Sequence, residues 1–388
     1  MNILENKKLE DYVIGLRRYF HMYPEISEQE FETTKKIKEE LLKDNIEVVD
    51  IAENALVAII KGSNPGKKIA LRGDMDALPL QEDGEKEYAS KNSGVMHACG
   101  HDGHVAMLLG AAKYLNSIKD SISGTIYCCF QPSEEIGKGA KEFLDYLKSV
   151  GGVDEVFAIH LWSLIPVGKI SVSSGSRMAN GDAFEITVVG RGGHGSRPDQ
   201  CIDPLKVGAR ILLDIISIPV NRCSPLDPVV VTVGKFIGGS AGNVIPNTAT
   251  LVGGYRSFSN KNREKIPVLI TEIAENIAKA HGAKAEINIM KGVPCVFNHK
   301  LSSERAEKTV TNLLGKEGLY DFEQLCASEN FGFYTESYPG LLAFVGAGNI
   351  EKGITYPHHH PLFDIDEDSL ITGTALYIQY ALDFLSEK

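Results

Sequence analysis

The sequence predicts an α/β protein interrupted by a smaller α+β insert. Through residues 1–177 strand-like segments alternate with helical ones, the pattern of a largely parallel sheet covered by helices. Over 178–292 the order changes to strand, helix, strand, strand, helix, strand, which is the order of a ferredoxin-like module. From 293 to 388 helix, strand and helix return. The expected domains are therefore 1–177 with 293–388, and 178–292 between them.

Taken in order, Lys7–Met22 repeats Leu9, Val13, Leu16 and Phe20 at helical spacing and stops before Pro24. Ser27 with Glu30 has the form of a capping box opening a second helix that runs to about Lys43. Strands are expected at Ala55–Lys61, Lys68–Gly73, Gly124–Phe130, Glu155–His160 and Gly168–Ser173, with helices at His104–Leu115 and Lys138–Val150. In the insert, strands at Phe184–Val189, Pro228–Phe236, Thr248–Arg256 and Ala285–Lys291 enclose helices at Asp203–Ile218 and Asn262–His281. Ser302–Leu314, Leu341–Val345 and Glu367–Leu385 complete the chain as helix, strand and helix. Neither repeats nor low-complexity tracts interrupt this order.

Composition excludes several classes of function. Of 388 residues 43% are apolar and 23% charged, so a disordered or fibrous chain is ruled out. A net charge of −11 repels phosphate backbones and argues against nucleic acid as a partner. No apolar run is long enough for a helix to span a bilayer, and Met1–Leu9 carries charges without a following apolar stretch. Seven irregularly spaced cysteines read as reduced thiols, and the expected compartment is the cytoplasm.

The chemistry-bearing residues cluster after the expected strands, where α/β sheets gather their functional groups. His97, Cys99, His101, Asp102 and His104 combine thiol, imidazole and carboxylate, the ligand types of zinc, manganese, cobalt and nickel sites. Cys99 and His101, two apart, face one ion if the backbone is extended there. Glu134 and Glu135 follow the strand Gly124–Phe130. They are either a solvated pair or one ligand beside a general base. His160 ends an apolar strand, as a ligand or as a satisfied core histidine. His358–His360 is a ligand-bearing loop or an exposed one. Together these segments offer Cys99, His101, Glu135, His160 and His359, and five ligands point to two ions sharing a bridging water. Asp74 and Asp76 are either turn residues or carboxylates that orient histidine ligands. Gly190-Arg191-Gly192-Gly193-His194-Gly195 matches a dinucleotide-binding pattern, but Ser196-Arg197-Pro198 continues a loop where that motif needs a helix.

Several runs carry a closer likeness: Arg17-Arg18…His21…Pro24-Glu25, Asp74-Met75-Asp76-Ala77-Leu78-Pro79, His97 to His104, Gln131-Pro132-Ser133-Glu134-Glu135, Gly192-Gly193-His194-Gly195-Ser196 and Asn243-Val244-Ile245-Pro246. The chain resembles, along nearly its whole length, the dimetal amidohydrolases of the aminoacylase and carboxypeptidase type. The branch is that of hippurate hydrolase, N-acyl-L-amino-acid amidohydrolase and auxin-conjugate (IAA-amino acid) hydrolase.

The resemblance implies a dimetal peptidase-like catalytic domain and a lid domain that mediates dimerisation. It implies two divalent ions per subunit, held by Cys99, His101, Glu135, His160 and His359, with Glu134 as general base. His359 is singled out because His359-His360-Pro361-Leu362-Phe363 fits the family's His-x-Pro-x-Phe pattern. His194 matches a residue that reaches the partner subunit's active site and polarises the scissile carbonyl. Arg256 and Asn243 match positions that hold the substrate carboxylate. Asn330, where relatives usually carry Asp, removes a charge and bears on substrate preference. The implied reaction is hydrolysis of an N-acyl amino acid to a carboxylic acid and a free amino acid by a homodimer or higher homo-oligomer. A dipeptidase, carboxypeptidase or N-acetyl-diaminopimelate deacetylase on the same scaffold is the alternative. A non-catalytic, metal-stabilised binding module is the alternative from another class.

Overall fold

The computed structural model describes residues 3–387. Met1 and Asn2, the start of the segment read above for a leader, lie outside the described residues, as does Lys388. The chain forms two compact units: residues 3–175, 297–323 and 333–387, and residues 176–296 with 324–332.

The first unit is built on a seven-stranded sheet. Its order is Glu47–Ala52, Ala55–Lys61, Ser123–Gln131, Asn64–Asp74, Glu155–Pro166, Gly340–Gly348 and Ile170–Ser171. The four strands from Ser123–Gln131 to Gly340–Gly348 are parallel. The pair at one edge and Ile170–Ser171 at the other are antiparallel, so the sheet is mixed at its margins. Gly340–Gly348 is buried at every position, the continuous apolar run of a strand covered on both faces.

Helix Lys7–Met22 buries Leu9, Val13, Leu16 and Phe20, and Asn6 caps it by accepting from the Leu9 amide. At about 1.5–3 kcal/mol per buried apolar side chain, that stripe outweighs any propensity term in holding the helix. Helix His101–Ser117 has no polar face, because it is packed between Lys7–Met22 and Asp368–Ser386. Gly110 marks a close approach to both neighbours: a Cβ there would lie 2.5 Å from Val13 Cγ2 and 3.1 Å from Thr374 Cγ2.

The expected capping box at Ser27–Glu30 does not form. The helix opens at Phe31, and Glu25 takes its free amides, accepting from Glu32 N at 3.2 Å and Thr33 N at 2.7 Å. Ser27 donates instead to Asp76, and Glu30 turns inward to accept from Ser133 N and Asn54 Nδ2, both at 2.8 Å. Strand Glu47–Ala52 has no counterpart among the strands expected from the sequence, because its half-exposed edge position leaves little apolar pattern. Gly168–Ser173 shrinks to two paired residues, and the helix expected from His104 begins one turn earlier, at His101.

The second unit is a four-stranded antiparallel sheet in the order Val229–Gly238, Thr248–Ser257, Gly181–Val189, Lys284–Val293. Helices Pro204–Ile216 and Asn260–Ala280 supply Val207, Ile211, Ile215, Ile266, Ile270 and Ala274. These close over Phe184, Ile186, Val188 and Leu251 of the sheet. Asp203 caps the first helix, accepting from Leu205 N at 2.9 Å. No helix among the described residues is long and apolar enough to cross a membrane.

Candidate metal centre

Three parallel strands deliver the site residues. Asn64–Asp74 ends on Asp74 and leads into Asp76; Ser123–Gln131 leads into the turn Glu134–Ile136; Glu155–Pro166 carries His160. Helix His101–Ser117 starts at the same place, and Gly100 before it adopts φ 88°, a left-handed conformation that glycine takes without strain. The loop 357–363 crosses above, where the His359 amide donates to the Ala98 carbonyl at 2.8 Å. His359 itself sits at φ 63°, a strained backbone of the kind that functional sites retain.

The ligating atoms fall into overlapping groups, each within 4.8 Å: Cys99, His101 and His160; Cys99, Glu135 and His359; His101, Glu134 and Glu135. Cys99 Sγ lies 3.7 Å from His160 Nε2, His359 Nε2 is 3.4 Å from Glu135 Oε2, and His101 Nε2 is 4.0 Å from Glu135 Oε1. His101 Nε2 and Glu135 Oε1 are buried without a hydrogen-bond partner. A buried, unsatisfied donor set facing inward is what a cation would satisfy.

The hydrogen bonds select the tautomers. His101 Nδ1 donates to the Asp76 carbonyl at 2.9 Å and His160 Nδ1 to the Leu161 carbonyl at 2.8 Å, so each ring keeps its Nε2 lone pair for the cluster. Burial, reinforced by His104 and His358, holds His160 well below the usual histidine range and therefore neutral. His104, the third imidazole, is already spent. Its Nδ1 donates to Asp74 Oδ1 at 2.6 Å and its Nε2 accepts from Leu161 N at 2.8 Å. Burial opposes charge on His101, yet Asp74 and Cys99 together raise it well above its ordinary range, so Nε2 holds a proton that a bound cation would displace. The cluster attracts positive charge. Burial, with the Glu135 carboxylate adding to it, pushes the Cys99 thiol well up.

Within the histidine triplet only His359 faces the cluster. His358 Nε2 donates to the Leu161 carbonyl at 3.0 Å while its ring stacks on Trp162, and burial takes it down to about 3. His360 Nδ1 accepts from Leu362 N, and its ring stacks on Tyr356.

Residues 70–383 match Peptidase family M20/M25/M40. The chain belongs to this family. It is an amide-bond hydrolase of the metallopeptidase and amidohydrolase kind. It is 38% identical over 383 residues to thermostable carboxypeptidase 1 of Saccharolobus solfataricus, covering 97% of this chain and 96% of that one. It is 36% identical to the N-acetylcysteine deacetylase of Bacillus subtilis, covering 98% of each. Among solved structures, the Bacillus subtilis YXEP protein, described as a dinuclear metal binding peptidase of the M20 family, superposes with a TM-score of 0.86. The two are 34% identical, over 98% of this chain and 99% of that one.

In this M20 chain the remaining sequence-derived candidates lie in the second unit. His194 stands exposed on the short strand Gly193–His194, paired with Val244–Ile245, and Asn243 borders it through Gly195 N, which donates to the Asn243 carbonyl at 2.8 Å. Ser196 N donates to His194 Nδ1 at 3.1 Å. Arg256 lies on strand Thr248–Ser257, partly buried, with Nη1 3.3 Å from the Tyr255 carbonyl. Asn330 is buried in the same unit.

Two supports of the centre escaped sequence reading. Arg72, buried in an apolar strand, donates to Asp74 Oδ2 at 2.7 Å and fixes the carboxylate that holds His104. Its trace in the sequence is a charge directly after the apolar run Ile69-Ala70-Leu71. Glu30 is the other. By accepting from its amide, Glu30 secures Ser133, the residue just before Glu134, and Ser133 holds a left-handed φ of 62°.

Burial drives the Glu30 carboxyl from 4.5 up to about 7, against the lowering hydrogen bonds of its own backbone, Asn54 and Ser133. Its folded pKa is thus above the unfolded one. The stability it contributes is present below pH 4.5 and is lost as pH rises to about 7, roughly 3 kcal/mol in all. Glu30→Gln is expected to remove this slope, so that the variant gains on the parent between those pH values. Urea melts of both proteins at pH 4.5, 6 and 8 measure the difference, and parallel curves would contradict it.

Proposed function

We propose that the chain hydrolyses N-acyl amino acids, with two divalent ions held by Cys99, His101, Glu135, His160 and His359. One observation carries the reading: Cys99 belongs to two ligand groups, one completed by His101 and His160, the other by Glu135 and His359, with Glu134 alongside. The donor set suits zinc, manganese, cobalt or nickel. When bound, such ions supply Lewis-acid activation of water and of the scissile carbonyl.

The chain's own residues do the rest. Glu134 takes a proton from the attacking water and returns it to the departing nitrogen. Asp74, through His104, and the Asp76 carbonyl, through His101, hold the imidazoles in register. In His194, Ser196 N occupies Nδ1, which places the ring proton on Nε2 as a donor to the carbonyl oxygen. Arg256 and Asn243 take the substrate carboxylate, Arg256 through two parallel hydrogen bonds. A homodimer in which His194 serves the partner's site fits the family resemblance.

The named relatives support a substrate with a free carboxylate. A carboxypeptidase and an N-acetylcysteine deacetylase both cut an amide whose nitrogen belongs to a terminal amino acid. The test is a panel of acetyl-amino acids, hippurate, dipeptides and the matching carboxamides on metal-stripped enzyme refilled with zinc, manganese, cobalt or nickel. Blocking the carboxylate is expected to lower kcat/KM about 100-fold, the order of loss when one partner of a hydrogen-bonded charge pair is removed. Equal turnover of blocked and free substrates would overturn the carboxylate clamp. Faster cleavage of dipeptides than of every acyl-amino acid would assign the chain to the dipeptidase alternative.

A further inference from the structure

Arg17 is buried on helix Lys7–Met22 and touches none of the proposed ligands, yet it joins the segments that carry them. Its Nε donates to Asp102 Oδ2 at 2.9 Å, and Asp102 directly follows His101. Its Nη2 donates to Asp364 Oδ1 at 2.8 Å, and Asp364 ends the loop that carries His359. Nη1 lies 3.5 Å from Glu367. The contacts around it fix the same two segments. His21 Nδ1 lies 2.7 Å from the same Asp102 oxygen, with Glu82 at 3.1 Å on Nε2. Tyr88 packs its ring 4.7 Å from the guanidinium and donates to Asp364 Oδ2 at 2.9 Å.

We propose that Arg17 is a positioning residue for the metal centre: its guanidinium locks the helix start at His101 and the loop at His359 into one register, so that the ion bound through His359 sits correctly beside the ion bound through His101. The inference rests on the ligand assignment proposed above. A buried ion network is weak evidence for stability, since well-packed apolar residues often replace one without loss. Directional geometry is what a planar fork with five donors adds, and an ammonium cannot reach these three carboxylates at once. The two ends are unequally anchored. His101 is held by a buried helix, whereas His359 stands on a loop with half of its side chain exposed, so loss of Arg17 loosens the His359 end.

The test titrates the metal-stripped full chain with zinc against a competing chelator and counts ions per subunit. The parent is expected to bind two. In Arg17→Leu the affinity of one ion falls about 10–100-fold, the usual effect of an outer-shell support, while the other stays within about twofold. Arg17→Lys falls between, and Arg18→Leu, which changes a half-exposed side chain that pairs with Glu367 and lies over the Tyr88 ring at 5.1 Å without reaching Asp102 or Asp364, stays within about twofold of the parent. Arg17→Leu adds nothing in a His359→Ala background. Should Arg17→Leu fail to fold, Asp364→Asn cuts only the His359 arm of the clamp and is expected to weaken the same single ion about 10-fold. Parental affinity for both ions in either folded variant, or equal weakening of both, overturns the positioning role. If the parent binds no zinc, or His359→Ala keeps both ions, the ligand assignment itself fails and the positioning role falls with it.

Discussion

Glu134→Gln is expected to keep both ions and to lose about 10²–10⁴-fold in kcat, the range for removing a general acid–base. The substitution keeps the shape of the side chain and removes its capacity to take a proton. Glu134 also falls within 4.8 Å of His101 and Glu135, so a ligand role competes with the base role for the same carboxylate. Metal content separates them. A variant that is inactive with two ions per subunit makes Glu134 the base; one that holds a single ion makes it a ligand. Turnover near the parental rate with both ions bound would remove it from the reaction.

The second large effect is expected at Cys99, which links the group completed by His101 and His160 to the group completed by Glu135 and His359. Cys99→Ala should weaken both ions, by more than the roughly 10–100-fold that changes to outer-shell partners cost, whereas His359→Ala weakens one. A pH signature accompanies it. Burial and the Glu135 carboxylate keep the free thiol protonated well above the ordinary cysteine range, and a thiol must lose its proton to bind metal. Zinc binding by the parent therefore releases a proton and tightens as pH rises. Calorimetry in two buffers of different ionisation enthalpy measures that proton, and Cys99→Ala should release one fewer. An unchanged proton count, or loss of a single ion, would place Cys99 outside the shared position.

Much of this architecture is legible in the sequence because two periodicities encode it. Helix Lys7–Met22 and strand Ala55–Lys61 form at their expected bounds, since burial on one stripe or on both faces leaves an unmistakable apolar pattern. The pattern fails where burial is partial, as at Glu47–Ala52, and where a local rule meets a stronger distant partner. Ser27 and Glu30 satisfy the capping-box spacing, but Asp76 and Ser133 offer them buried hydrogen bonds, and Glu25 caps the helix instead.

The ligand types lay in plain view as Cys99-Gly100-His101, Glu134-Glu135, His160 and His358–His360, because metal chemistry demands thiol, imidazole and carboxylate whatever the fold. The motif runs and their resemblance to one family determined the class of this protein, and residue identity gave the short roster of candidate ligands. Only the tertiary structure decided which nitrogen of which histidine is free. His104 is used up between Asp74 and the Leu161 amide, His358 is turned onto Trp162, and His359 is left facing Glu135. That choice rests on hydrogen bonds between segments remote in the chain, and such bonds exist only once the strands have brought their ends together.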